Sequence, residues 1–199
     1  MKAWLAALGF VLFVCPVADA QSRGTRAATP STAPQAPAKE PGDAVKEFQD
    51  RLDGYVELRA RLAKKLEPLS PTANASELAT RQEALANAIK AARKGARNGD
   101  LIPATVAAQL RTIVQNDFRG RPVDARNAAF EEVPGSGLPV INRTYPAQAA
   151  MPTVPPLLLG KLPPLPDNLQ YRFFARHLVI LDGDTQIIID YVANALPPH

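Results

Sequence analysis

The sequence predicts an α+β fold with a three-helix N-terminal part, a proline-rich extended wrap and a C-terminal antiparallel β-hairpin packed on the helices. Apolar residues recur at spacings of three and four between positions 45 and 114, which is the helical period. Residues 168–193 instead hold two β-branched and aromatic runs about a turn. Nine prolines between positions 134 and 166 separate these parts, because neither a long helix nor a central strand tolerates that density.

The first twenty residues have the pattern of a secretory signal peptide. Lys2 precedes an apolar run from Ala3 to Val14, and the small residues Ala18 and Ala20 suit a signal peptidase. The run is too short for a transmembrane helix, which needs about 18 or more apolar residues. We therefore predict cleavage between Ala20 and Gln21, export to the periplasm or beyond, and no membrane span in the mature chain.

The composition of the mature chain excludes cysteine chemistry. The only cysteine, Cys15, lies inside the predicted signal, so the mature chain has no disulfide, thiolate nucleophile or cysteine metal site. The whole chain carries 23 basic and 19 acidic residues, and removing Lys2 and Asp19 with the signal leaves the net charge at +4. So mild an excess suits solubility and does not by itself indicate a polyanion binder. We predict no cofactor and no metal ion.

A disordered linker is predicted over residues 21–43. These residues are mostly Ala, Pro, Ser and Thr, with almost no large apolar side chain to offset the entropy lost on ordering. The folded part is then one small domain over residues 44–197, with its helices between 44 and 120.

The first predicted helix runs from an N-cap at Asp43 to Glu67, just before Pro68. Its apolar stripe has a single polar member. The stripe consists of Val45, Phe48, Leu52, Tyr55, Arg59, Leu62, Leu66 and Leu69. We favour packing on a neighbouring helix of the same chain. The alternative is a dimeric coiled coil through the stripe from Val45 to Leu69, although fewer than three clean heptads support it.

Two further helices are predicted. One runs from Ser76, a suitable N-cap, to Arg97, and it forms an antiparallel helical hairpin with the first helix. The other begins near Pro103 and ends near Gly120. Its inward-facing residues are Val106, Leu110, Ile113 and Val114.

The proline-rich segment over 134–166 is predicted to wrap the helices in an extended conformation. Its residues Val140, Ile141 and Leu157–Leu159 are too apolar for free solution. The following hairpin has strands over 169–181 and 185–192, joined by a tight Asp-Gly-Asp turn. A lone hairpin is marginal in water, so we expect its apolar face to cover the helices.

Three stretches of the chain resemble a family of exported bacterial proteins of unknown function. They are Ile89–Leu101, Asn142–Pro146 and Leu162–Phe173, of which the leucine-proline run is the most specific part. The resemblance extends over nearly the whole mature chain, from the helix around Phe48 to Leu196. It implies a Gram-negative envelope setting and no particular activity.

Carboxylate pairs are the catalytic candidates, and each pair has a simpler interpretation. Asp182 and Asp184 flank Gly183, where Asp is a common turn residue, and the adjacent Glu131 and Glu132 are expected to point apart. The sequence has no nucleophile elbow, phosphate loop, dinucleotide fingerprint or zinc motif. We assign no catalytic residue, and a weak hydrolase using Asp182 or Asp184 is the third functional hypothesis.

A basic stripe is predicted on the second helix, formed by Lys90, Arg93, Lys94 and Arg97 at spacings of three and four. Cations near a helix C-terminus complement its dipole, so a solvated helix face explains the stripe. The alternative is a binding surface for lipid headgroups, polysaccharide or nucleic acid.

The hairpin contains two arginines, Arg172 and Arg176, which would share a face of a regular strand. Asp190 on the opposing strand is the expected ion-pair partner. The alternative is a ligand pocket lined by Tyr171, Arg172, His177 and Asp190.

The function that these sequence patterns favour most is that of a non-catalytic exported protein with an interaction or structural role in the envelope. An anionic-surface binder using the basic stripe is the second hypothesis. The expected partner is accordingly an envelope protein or an anionic surface.

Overall fold

The computed structural model of the chain describes residues 41–70, 72, 74–131, 133, 136–146 and 154–198. These residues form five helices and a three-stranded antiparallel sheet, which confirms the α+β class. The elements are α1 (Pro41–Ala63), α2 (Ala75–Ala92), α3 (Ala104–Arg119), α4 (Val123–Glu131), α5 (Pro156–Leu159), β1 (Leu169–Phe174), β2 (His177–Asp182) and β3 (Ile188–Val192). The predicted signal peptide, its Ala20–Gln21 cleavage site and residues 21–40 lie outside the described residues. Across the described ranges, no helix is both long and apolar enough to cross a membrane.

Helix α1 places the predicted stripe in the core. Phe48, Leu52 and Tyr55 are buried, and Arg59 is buried with them. The predicted packing of this helix within the chain is therefore confirmed over its central turns.

The ends of α1 differ from the prediction. The helix already includes residues 41–43 and ends at Ala63 rather than at Glu67. Beyond Ala63 the chain tightens into i→i+3 turns, and Arg81 of α2 donates to the carbonyl oxygens of Ala63 and Glu67. A side chain from the neighbouring helix thus satisfies the carbonyl groups that the helix end leaves unpaired.

Helix α2 begins at a different cap and ends early. Its N-cap is Asn74 rather than Ser76, with Oδ1 accepting the Glu77 N–H at 3.0 Å. The helix ends at Ala92, five residues before the predicted end at Arg97.

Helix α3 confirms the third predicted helix and its inward face, since Val106, Leu110 and Val114 are buried. Helix α4 was not predicted. None of its residues is fully buried, and the ring of Phe130 packs against Phe118 at a centroid distance of 5.7 Å.

The predicted two-stranded hairpin is wrong, because the region forms a three-stranded sheet of order β1-β2-β3. The first run folds back between Phe174 and His177, where Ala175 has a positive φ of 49°. The predicted turn at 182–184 instead joins β2 to β3. The Ala-Arg turn has none of the Gly, Asn, Asp or Pro residues that mark turns, so the sequence pattern did not reveal it.

Both faces of the sheet are covered. Alternation along β1 directs Leu169, Tyr171 and Phe173 towards the helical core. On the other face Val179 packs with Tyr145 of the proline-rich segment. All six residues of β2 are buried, as expected for a central strand covered on both faces.

The described parts of the proline-rich segment pack on this core only in part, since Val140, Leu157 and Leu159, which were expected to be covered, are exposed. Thr144 forms an isolated antiparallel bridge with Ile187, and Leu158 in the single turn of α5 is fully buried. Residues 147–153 lie outside the described residues, so a continuous wrap over 134–166 stays a prediction.

Candidate functional site

Asp182 lies at the centre of a buried polar cluster between α1 and the sheet. Its Oδ2 accepts from the Tyr55 hydroxyl at 2.8 Å and from Arg59 Nε at 2.9 Å, while Oδ1 accepts from the Thr185 N–H at 3.0 Å. Arg59 also pairs with Asp184. One guanidinium therefore neutralises the buried carboxylate and joins α1 to the turn between β2 and β3.

Asp190 on β3 forms a second buried anchor. Its carboxylate is fully buried and accepts the backbone N–H groups of Gly99, Leu101, Ile102 and Tyr191 at 2.8–3.0 Å. Burial raises the pKa of Asp190, and the four amide hydrogen bonds oppose that rise. A carboxylate has about four acceptor positions, so three amides of the 99–102 turn and the amide of Tyr191 saturate this one.

Arg93 links the two anchors. It is only 8 % exposed, its guanidinium lies 5.3 Å from the centroid of the Tyr55 ring, and it donates to the Ile189 carbonyl oxygen at 2.9 Å. The Asn142 side chain donates to the Arg93 carbonyl oxygen at 2.7 Å. Burial lowers the pKa of Arg93, and burial followed by the Asp182 charge raises the pKa of Tyr55. At neutral pH the pair is therefore a cation against a neutral phenol.

This arrangement holds charges in place and does not present a reactive carboxylate. A general base must offer a lone pair to a substrate, yet both oxygens of the buried Asp182 already bond protein donors. Asp184, at 55 % side-chain exposure, binds the same guanidinium. Asp182 and Asp184 are therefore neither two desolvated catalytic carboxylates nor two unbound residues of an exposed turn. Glu132 of the second candidate pair lies outside the described residues.

The basic stripe does not form as predicted. Arg93, the C-cap residue of α2, lies four residues after the buried Ile89 and points into the core, while Lys94 and Arg97 are exposed in the following turn. Lys90 is half-buried in the last turn of the helix. Three of the four cations therefore remain at the surface, and the fourth is a structural residue.

The four hairpin residues that were candidates for a pocket, Tyr171, Arg172, His177 and Asp190, do not line a single pocket: Tyr171 and Arg172 border one groove along β1, and His177 and Asp190 do not. Tyr171 faces the helices and donates its hydroxyl to the Pro163 carbonyl oxygen at 3.1 Å. Arg172 lies on the opposite face of β1 and donates to Gln170 Oε1. Since Asp190 accepts from backbone amides, the expected ion pair between Arg172 and Asp190 is wrong.

His177 is a buried histidine at the start of β2. Its Nδ1 accepts the Asn194 N–H at 3.1 Å, and its ring meets Tyr191 edge-on at 5.9 Å. Burial lowers the pKa of His177, a backbone hydrogen bond with Gly137 opposes the change, and the charge of Arg176 adds to it. Arg176 lies in the turn before β2 and so does not share a strand with Arg172. The imidazole is neutral and structural at neutral pH.

Two of the buried charged residues that were not predicted as structural residues, Arg59 and Asp182, left a signal in the sequence. Arg59 is the one polar member of an apolar stripe, and Asp182 directly follows the apolar run 178–181. Each marks a charged group that enters the core, and their opposite charges suggest a pair. Arg93 was missed because its charge matches those of the neighbouring Lys90 and Lys94, although it continues the spacing of four set by the buried Leu85 and Ile89.

No group of three or more His, Cys, Asp or Glu side chains in the described part of the chain is placed to hold a metal ion. No protein-family model, curated protein or solved structure matches the chain. The functional interpretation therefore depends on the residues and their geometry.

Proposed function

We propose that the chain is an exported, non-catalytic interaction module that binds an anionic surface through a cationic corner. The cationic corner consists of Lys90, Lys94, Arg97 and Arg143. One observation carries the proposal: within the described ranges, none of these side chains has a carboxylate partner. Export follows from the predicted signal peptide and is part of the proposal.

The corner gathers around the turn that follows α2. Lys94 and Arg97 are exposed in this turn, and the Asn142 hydrogen bond to the Arg93 carbonyl oxygen brings the exposed Arg143 beside it. The turn contains one carboxylate, Asp100, which accepts the Arg97 backbone N–H at 2.7 Å. The corner therefore concentrates positive charge on a backbone held rigidly by buried contacts.

Several cations elsewhere on the surface are already neutralised. Lys46 pairs with Asp50 at 2.8 Å, and Asp117 pairs with both Arg121 at 2.6 Å and Lys161 at 3.0 Å. A paired cation gives a polyanion little net attraction, whereas an unpaired one keeps its full charge for a ligand. Lys64 and Lys65 beyond α1 also lack a carboxylate partner among the described residues, so what distinguishes the corner is that four such cations gather around one turn.

The interior favours an interaction role over a catalytic one. Of the two fully buried carboxylates, Asp182 attaches α1 to the sheet and Asp190 attaches the 99–102 turn to it. The buried carboxylates, which are the groups best suited to catalysis, therefore have a structural role.

Charge reversal at the corner tests the proposal. The Lys94→Glu/Arg97→Glu double variant should elute from heparin and dissociate from phosphatidylglycerol vesicles at lower salt than the parent. The matched control is Lys64→Glu/Lys65→Glu, which makes the same change in net charge beyond the end of α1. With duplex DNA, the slope of log K against log salt should fall by about 1 for each phosphate that the variant no longer neutralises. Equal weakening in both variants would mean that net charge alone, and not the corner, drives binding.

Comparing the three polyanions then identifies the surface. Retention on heparin alone indicates polysaccharide, vesicle binding alone indicates lipid headgroups, and duplex binding alone indicates nucleic acid. Binding to none of them at low salt would refute the proposal.

A further inference from the structure

A groove of about 720 Å³ lies between β1 and the proline-rich chain that precedes it. Residues Leu169–Arg172 form one side, and the other side includes Leu159, Leu162 and the Pro163–Pro164 pair. The volume lies within the roughly 300–1,000 Å³ typical of small-molecule sites. None of the cationic corner lines this groove, so it is a separate feature of the molecule.

Three backbone groups on the edge of β1 beside this groove already have partners. The Leu169 N–H donates to the Pro166 carbonyl oxygen at 2.8 Å, and the Phe173 carbonyl oxygen accepts the Tyr145 hydroxyl at 2.7 Å. The Tyr171 carbonyl oxygen accepts from the neighbouring guanidinium at 3.0 Å. A partner peptide that joined the sheet as an extra strand would need these groups free. The groove is therefore better suited to a ligand that contacts its side chains than to a peptide that hydrogen-bonds the backbone of β1.

The walls of the groove are largely apolar. Leu162 is buried and Leu159 is 47 % exposed, while Tyr171 directs its hydroxyl to the Pro163 carbonyl oxygen. The half-exposed Leu159 leaves apolar surface open in the groove, which a hydrocarbon chain would cover.

Arg172 gives this apolar groove one uncompensated charge. Its terminal nitrogens donate to the Tyr171 carbonyl oxygen and, at 2.5 Å, to Gln170 Oε1, both of which are uncharged acceptors. Its Nε is buried without a hydrogen-bond partner. Arg59, Arg51 and Arg121 each have a carboxylate within 3 Å, but Arg172 has none among the described residues. A half-buried guanidinium without an acid favours an anionic ligand, because arginine pairs well with a carboxylate.

We propose that this groove binds a single-chain amphiphilic carboxylate, with the carboxylate on Arg172 and the hydrocarbon tail against Leu159, Leu162 and Pro163. The apolar walls account for the tail, and the unpaired guanidinium accounts for the charged head. The partners already present on the edge of β1 favour this ligand over an acidic peptide.

Decanoate is the probe that tests the proposal, titrated by calorimetry into the whole mature protein below its micellar concentration. Binding should be saturable, with one decanoate per chain and a negative heat-capacity change from apolar burial. Arg172→Met keeps the aliphatic stem and removes the charge, so it should weaken decanoate binding by about tenfold or more. Arg172→Lys should retain part of the affinity, and decanol binding should be the same in the parent and in Arg172→Met.

Matched variants separate this site from other cations and from misfolding. Arg119→Met removes an exposed arginine that bonds only neutral side chains of α3, and it should bind decanoate like the parent. Leu159→Asn should weaken decanoate and decanol alike, since it changes the wall. Far-UV circular dichroism and thermal melting of each variant confirm that it is folded.

Four results would overturn the proposal: no saturable decanoate binding, unchanged affinity in Arg172→Met, equal binding of decyltrimethylammonium, or tighter binding of a short valine-threonine peptide with a free carboxylate. The last result would identify a peptide site instead. The corner variant Lys94→Glu/Arg97→Glu should bind decanoate normally, so failure of the corner and failure of the groove are distinguishable.

Discussion

Replacing Arg59 by methionine tests whether the buried ion pair holds α1 on the sheet. The change keeps the apolar stem but leaves the Asp182 carboxylate in the core without a cation. The Arg59 and Asp182 side chains are 10 % and 0 % exposed, so water screens their interaction little. Removing one partner of a buried pair costs about 3–5 kcal/mol. For a domain of this size we expect the melting temperature to fall by about 6–20 °C.

Arg61 provides the matched control on the same helix. Its pair with Glu57 is 3.8 Å long and the two side chains are 64 % and 74 % exposed, so Arg61→Met should cost at most about 1 kcal/mol. Tyr55→Phe removes one hydrogen bond to the same buried carboxylate and should cost about 1.5–3 kcal/mol, which stays measurable if Arg59→Met unfolds.

The assay is guanidinium denaturation followed by far-UV circular dichroism at pH 7. Adding Asp182→Asn to Arg59→Met should recover part of the stability, because the buried charge is then gone. If Arg59→Met is destabilised no more than Arg61→Met, the ion pair does not hold the helix and the reasoning is refuted.

Three other parts of the fold give predictions of their own. Asp190→Asn should cost about 3 kcal/mol or more, since it removes charge-assisted bonds to several amides, and hydrogen exchange of the amides in the 99–102 turn should accelerate. Because burial lowers the pKa of His177, the folded state binds fewer protons than the unfolded chain below pH 6.5. The contribution of His177 to the free energy of unfolding is therefore complete above 6.5, the pKa in the unfolded chain, and is lost as the pH falls towards the pKa in the folded state. Melting temperatures measured across pH 5–8 should show this decline, and His177→Asn should flatten it. Asn74→Ala should cost about 1 kcal/mol in thermal melting because it removes the helix cap, whereas Ser76→Ala should be nearly neutral.

The helices were predictable because their apolar stripes are long and regular. The stripe through Phe48 and Leu52 needs no tertiary information, since its period alone identifies the buried face. Helix ends depend on more distant contacts. Arg81 closes α1 from the neighbouring helix, and the side chain of Arg93 at the C-cap of α2 bonds β3, so neither end could be located from local sequence.

The three-stranded sheet was missed for a similar reason. The turn at Ala175 has no residue that favours positive φ, so an unbroken run of strand-forming residues hides it. Packing determines where the chain reverses between β1 and β2. Phe173 at the end of β1 meets Phe118 of α3 edge-on at 5.8 Å, and β2, which is buried along its length, packs over the same helices. Such contacts have no short-range signature.

A three-stranded sheet has two edge strands, and polar side chains that bond the backbone of an edge strand are not available to bind a ligand. On the β3 side, the carbonyl oxygens of Ile189, Tyr191 and Ala193 accept from Arg93, Asn98 and Arg111 at 2.9–3.1 Å. Side-chain donors at these positions block the pairing of one chain's edge with another's. Part of the arginine content between 93 and 126 is therefore explained by edge protection rather than by a polyanion.

This explanation reduces the number of cations that need a partner outside the chain. Arg93 and Arg111 bond to backbone carbonyls, and Arg59 is neutralised by carboxylates, so their presence says nothing about a ligand. Lys94 and Arg97 have no carboxylate in the described part of the chain, and Arg172 has only uncharged acceptors. Because a charge left uncompensated on or near a folded surface is free to attract an anion, these three residues are where substitution should change binding without unfolding the protein.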